Sequence, residues 1–114
     1  MADTIFGKII RRELPADIVY EDDDVLAFRD VSPQAPVHIV VIPKKPLTGL
    51  LDTAPEDAAL LGRLLQAATQ IARTQGLGET GFRVVINSGP DAGQSVEHLH
   101  LHILGGRHLT WPPG

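Results

Sequence analysis

Residues 98 to 104 read His-Leu-His-Leu-His-Ile-Leu, a strict alternation of imidazole and aliphatic side chains. A period of two is the signature of a strand, on which successive side chains point to opposite faces. His98, His100 and His102 therefore share one face, and Leu99, Leu101 and Ile103 share the other. The aliphatic face belongs against a helix in the core. The imidazole face must be wet, liganded or used in chemistry, because burying unpartnered polar rings is costly. A chain of 114 residues holds about one domain, so this strand and its neighbours fix much of the fold.

The other elements follow from local patterns. FGKIIRRE (6 to 13) predicts a short amphipathic helix that stops near Leu14-Pro15. IVYED (18 to 22) and VLAFRD (25 to 30) predict two strands joined by a tight turn at Asp22-Asp23-Asp24. SPQAP (32 to 36) is a loop, and VHIVVIP (37 to 43) reads as a buried central strand. Thr53 and Glu56 fit a capping box with Pro55 in the first turn. After it Leu60, Leu61, Leu64, Leu65, Ala68, Ile71 and Ala72 recur at helical spacing up to a stop at Gly76. GFRVVIN (81 to 87) and HLHLHIL (98 to 104) are two further strands, separated by the glycine-containing loop SGPDAGQS. Short connections between sequential strands favour antiparallel pairing and an α+β domain.

Composition excludes several function classes. There are no cysteines, hence no disulfides and no thiolate metal site. Hydrophobic residues make up 43% of the chain, but no apolar run approaches a membrane span. The first residues lack the plan of a secretory signal, and with the absence of cysteine this leads us to expect a cytoplasmic protein. The net charge is −4 and the ten basic residues are scattered, so no nucleic-acid partner is expected.

The histidine face admits three readings. The imidazoles can be structural, satisfied on a partly wet sheet. They can hold zinc, since a catalytic zinc can use three histidines and water, although the adjacent carboxylate, Glu97, has the opposite parity. Or one can act as a nucleophile or acid–base group, because imidazole titrates near neutrality and attacks phosphorus when its other nitrogen is held. His38, in the other strongly apolar strand, is placed to join them. For the third reading, the loop before the triad supplies anion donors: glycines let backbone N–H groups turn toward a ligand, Gln94 and Ser95 add side-chain donors, and Asn87 stands at the end of the preceding strand.

The run from His98 to Leu104 matches the histidine-triad pattern, and the chain resembles the histidine triad superfamily. DTIFGKII, LAFRD, SPQAP, VIPKK, GQSV, LGGR and WPPG resemble one branch in particular, the histidine triad nucleotide-binding or Hint proteins, from Asp3 to Gly114. The resemblance implies one domain over residues 1–114, with 105–114 as a C-terminal tail. It implies a five-stranded antiparallel sheet with one long and one short helix, paired across a homodimer into a ten-stranded sheet. The implied activity is metal-free and cofactor-free hydrolysis of purine nucleoside 5′-phosphoramidates and acyl-adenylates to nucleoside monophosphate. In that scheme His100 is the nucleophile and forms a nucleotidyl-histidine. His102 bonds a phosphate oxygen, and His38 and His98 complete the imidazole network. Ser95 contacts the leaving amine or the phosphate, while Asn87 and the backbone of Gly93, Gln94, Ser95 and Val96 hold the phosphate. Asp30 takes the ribose hydroxyls, and Ile5, Phe6, Ile9, Phe28 and Val31 line the base pocket. Trp111 reaches toward the partner subunit's site. A dinucleoside polyphosphate hydrolase is the alternative enzyme, and a non-catalytic nucleotide sensor or scaffold the alternative of another class.

Overall fold

The computed structural model describes residues 3–114, so Met1 and Ala2 of the expected domain lie outside the described residues. The chain forms α1 (Ile5–Ile10), β1 (Ile18–Glu21), β2 (Val25–Arg29), β3 (Val37–Pro43), α2 (Ala58–Thr74), β4 (Phe82–Val85) and β5 (Leu101–Gly105). The strands build one sheet in the order β1-β2-β3-β5-β4, with every pair antiparallel. This is the expected α+β architecture, with one difference in topology. The last strand does not extend the sheet but inserts between β3 and β4. The α2 crossover brings β4 back in the same direction as β3, and β5, running the other way, fills the gap so that all pairs stay antiparallel.

Alternation divides each central strand between two cores. Val25 and Ala27, Ile39 and Val41, and Leu101 and Ile103 face α2, where they pack with Leu64, Ala68 and Ile71. Leu26 and Phe28, and Val40 and Ile42, face the other way and are covered by Phe6 and Ile9 of α1. By the same parity His38 and His102 lie on the α1 side of the sheet, as the alternation at 98–104 requires.

Several element ends differ from the sequence expectation, each for a local reason. Helix α1 starts at Ile5, after Thr4, whose Oγ1 accepts from Gly7 N–H at 3.1 Å. It ends at Ile10, and Arg12 turns the chain with φ 62°. The expected Thr53/Glu56 capping box does not form, and only the return half of such a box is present, one residue on. Asp57 Oδ2 accepts from Ala54 N–H at 2.8 Å, and the Thr53 hydroxyl is spent closing the preceding turn onto Leu50 O at 2.7 Å. A 3-10 turn at Pro55–Asp57 precedes Ala58. The β4 ladder stops at Val85 rather than Asn87. The β5 ladder begins only at Leu101, because residues 98–100 leave regular pairing to bond the chain beyond β3: Leu99 N–H donates to Leu47 O at 2.7 Å. Among the described residues, no helix is long and apolar enough to cross a membrane.

Candidate active site

The β3–β5 register sets Val40 opposite His102 and His38 opposite Leu104. His38 and His102 are thus diagonal neighbours on one face, within reach of each other's rings. Their nitrogens, His38 Nε2 and His102 Nδ1, lie 2.8 Å apart. His100 follows on the same face, its ring centroid 5.0 Å from that of His102 and 5.0 Å from that of Phe6, edge to face in both cases. His38, His98 and His100 are buried, and His102 is partly open.

The partners fix where each proton sits. A carbonyl oxygen can only accept, so His100 Nδ1 must donate to His98 O (2.7 Å) and His98 Nε2 must donate to Pro43 O (2.8 Å). His38 Nδ1 accepts from Gln34 N–H at 3.0 Å, so its proton is on Nε2. That proton points to His102 Nδ1, which leaves His102 protonated on Nε2. In their neutral forms the rings have defined tautomers: His100 carries its lone pair on Nε2, and His102 offers Nε2–H as a donor.

The electrostatics agree with neutral rings. Burial pushes His38 down from the usual histidine range, against the pull of the Asp30 carboxylate 3.5 Å away. Burial also lowers His98. His102 is pushed down to about 4, mainly by burial and then by the neighbouring His100 and His38. A depressed histidine withholds a proton that the unfolded chain binds. His102 therefore adds stability that is complete above pH ~6.5 and lost as the pH falls toward 4. Denaturant unfolding between pH 4.5 and 7 should show stability rising with pH. His102→Gln should flatten that slope relative to the wild type; an unchanged slope would remove His102 as its source.

A cavity of about 200 Å³ opens against these histidines. Its walls are Ile5, Phe6, Ile9, Phe28, Val31 and Val40, and its polar end carries Asp30, Ser95, His100 and His102, with Val96 beside them. All five residues expected to line a base pocket are here. Val31, 98% exposed, and Ile5, 53% exposed, stand at the rim. A larger cleft of about 470 Å³ lies on the other side of α1, against His98, and is lined largely by charged and polar side chains including Arg11, Lys44 and Glu97. The smaller cavity is the better candidate because it alone joins apolar walls to His100 and His102.

Other expected site residues lie outside the cavity lining. His38 sits behind His102, and His98 braces the backbone. Asn87, Gly93 and Gln94 do not line the cavity. Gly93 N–H and Gln94 N–H close the loop onto Pro90 O (3.0 Å) and Gly89 O (3.2 Å), so the backbone donors left to an anion are those of Ser95 and Val96. The Gln94 side chain is no free donor: its Nε2 donates to Thr48 O at 2.7 Å and Val96 O at 3.0 Å. Trp111 is 81% exposed, so it does not plug the tail onto its own domain. Sequence reasoning missed Gln34 as the group that sets the His38 tautomer. Its contribution is a backbone N–H, which no side-chain motif announces.

Asp30, His38 and His102 also converge closely enough to resemble a metal cluster. As arranged they do not fit one. The two imidazoles turn their facing nitrogens on each other, sharing a proton at 2.8 Å, and a metal would need both nitrogens bare.

Comparison with known proteins decides the family. The HIT domain family model matches residues 11–109. The chain belongs to the HIT family. A HIT-like protein of Synechococcus elongatus is 67% identical over 112 residues, covering 98% of this chain and 97% of its own. A Brassica juncea protein named as a 14 kDa zinc-binding protein is 57% identical over 114 residues, covering 98% of this chain and 100% of its own. Among solved structures, a HIT family hydrolase from Legionella pneumophila superposes with a TM-score of 0.96 at 47% identity, covering 98% of this chain and 100% of that one. The five-stranded sheet and two helices are thus the HIT fold.

Proposed function

We propose that this HIT protein is a hydrolase of the Hint branch that cleaves purine nucleoside 5′-phosphoramidates and acyl-adenylates, releasing the nucleoside monophosphate. The observation that carries the reading is the hydrogen bond from His100 Nδ1 to His98 O, which leaves the Nε2 lone pair free at the polar end of an apolar-walled cavity. The purine lies between Phe6, Phe28, Ile9 and the rim residues Ile5 and Val31. Asp30 accepts from the ribose hydroxyls, with Oδ1 already steadied by Ser32 N–H at 2.8 Å. His100 Nε2 attacks the α-phosphorus. In a phosphoramidate the phosphorus–nitrogen bond breaks, and its electron pair leaves with the amine, which takes up a proton from solvent at the open mouth; in an acyl-adenylate the phosphorus–oxygen bond breaks and its pair leaves with the carboxylate. As positive charge develops on the His100 ring, the His98 carbonyl stabilises the Nδ1–H. His102 Nε2–H, Ser95 and the Ser95 and Val96 backbone hold the phosphoryl oxygens. Water then attacks the nucleotidyl-histidine, the phosphorus–nitrogen bonding pair returns to Nε2, and the proton shed by the water passes to solvent.

No step needs a metal. Zinc binding, which the name of the Brassica relative attributes to that protein, would have to disrupt the His38–His102 hydrogen bond, and zinc is expected to inhibit this site. Release of AMP from adenosine 5′-phosphoramidate by chelator-treated protein tests the reading. Turnover supports it. No turnover with AMP still binding favours dinucleoside polyphosphates as substrates, or a nucleotide sensor. The dimer, with its sheet continued across two copies and Trp111 at the partner's site, belongs to the same proposal.

The ribose assignment makes its own demand. Asp30→Ala should weaken AMP by about tenfold or more, since a hydrogen bond to a charged group contributes about 1.5–3 kcal/mol. The 2′,3′-dideoxy nucleotide should be weakened far less. Equal losses in a binding titration would place the ribose elsewhere.

A further inference from the structure

We infer that Gln94 is a positioning residue whose side-chain amide holds the loop that presents Ser95 and Val96 to the nucleotide phosphate. The inference rests on the functional reading above and assigns the device that shapes its anion-binding loop.

A primary amide has two N–H donors and one carbonyl acceptor. Gln94 uses all of them, on three separate parts of the chain. Its Nε2 donates to Thr48 O at 2.7 Å and to Val96 O at 3.0 Å, and its Oε1 accepts from Gly89 N–H at 2.9 Å. Gly89 and Val96 bound a short loop, residues 89–96, inside the longer connection between β4 and β5, and Thr48 belongs to the connection between β3 and α2. One side chain therefore ties both sides of this short loop to each other and to a separate segment.

The loop has little else to hold it. It contains a single 3-10 turn at Pro90–Ala92, flanked by Gly89 at φ 84° and Gly93 at φ 78°, positions where glycine lets the chain reverse. Its own backbone bonds are Gly93 N–H to Pro90 O and Gln94 N–H to Gly89 O. The Thr48–Gly49 segment also closes in tightly: a Cβ on Gly49 would lie 3.2 Å from Gln94 Oε1. Donors aimed at a developing charge are effective only when they are held in place beforehand. With both Nε2 protons engaged by carbonyls, Gln94 acts on the phosphate through Ser95 and Val96.

The test separates the phosphate from the rest of the nucleotide. AMP and adenosine affinities are measured by calorimetry for the wild type, Gln94→Ala and Gln94→Met; the Met variant keeps length while removing every polar contact. Losing the clamp should weaken AMP about tenfold or more and leave adenosine within about twofold. Equal weakening of both ligands, or unchanged AMP binding, overturns the role of Gln94. A wild type that binds AMP no better than adenosine overturns the loop's assignment to phosphate, and the Gln94 role with it. The unsubstituted protein supplies a check that does not depend on variant folding. By NMR its two Gln94 Nε2 protons should exchange with solvent much more slowly than those of an exposed glutamine amide, with and without AMP, and exchange as fast as an exposed amide overturns the proposal.

Discussion

His100→Ala should release no detectable AMP from adenosine 5′-phosphoramidate, a loss of at least about 10⁴-fold, because the variant lacks the cavity-lining imidazole that the proposed mechanism uses for attack. It should still bind AMP, since the apolar walls, Asp30 and the Ser95–Val96 backbone remain in place. The pairing of lost turnover with retained binding is the informative result. Residual turnover near the wild-type level would show that another group attacks phosphorus. Loss of binding as well would show that the Phe6–His100 edge-to-face contact, at 5.0 Å, is needed to keep α1 seated. No trapped nucleotidyl adduct should form on the variant, whereas a quenched wild-type reaction should carry one on His100.

Gly106→Ala should be among the most damaging single-methyl substitutions outside the core. Gly106 has φ +90°, and a Cβ there would stand 2.9 Å from Pro36 Cβ. Left-handed strain and the clash add to a loss of about 2–4 kcal/mol in denaturant unfolding. The damage should also reach the chemistry. Pro36 belongs to the loop whose Gln34 N–H holds His38 Nδ1, and Arg107, next to Gly106, donates to Gln34 O at 3.0 Å. Gly62→Ala provides the contrast: it lies on exposed α2 with nothing within 4 Å of the added carbon. It should stabilise the helix by up to about 1 kcal/mol. If the two substitutions had similar effects, close packing at Gly106 would not be the reason for the glycine.

Much of this was legible in the residues. The alternation at 98–104 placed the imidazoles and aliphatic side chains on opposite faces before any partner strand was known, and His38 was grouped with them because it lies in the other apolar strand; the β3–β5 register is what sets it beside His102. The cavity walls came from the family resemblance, because Phe6, Ile9 and Phe28, as apolar residues of an early helix and strand, read by themselves as ordinary core. What local patterns could not supply was long-range pairing. Insertion of β5 beside β3 depends on the direction in which α2 returns the chain. The start of β5 at Leu101 depends on a contact between Leu99 and Leu47, fifty-two positions apart. Gln94 shows the other limit. As a residue type it is as good a phosphate donor as a loop brace, and only the carbonyls of Thr48 and Val96, one distant in sequence, decide between them.

The contact between His38 and His102 joins residues 64 positions apart, across a seam that closes only when the last strand docks. Strands β1 to β3 can meet through short turns, but β5 must wait for the whole intervening chain, and distant pairings form late because loop closure costs entropy before contacts repay it. The imidazole pair is therefore a clock for the end of folding. A chain arrested with helix and hairpins in place has secondary structure but no His38–His102 contact, so formation of that contact marks completion of the native sheet rather than collapse.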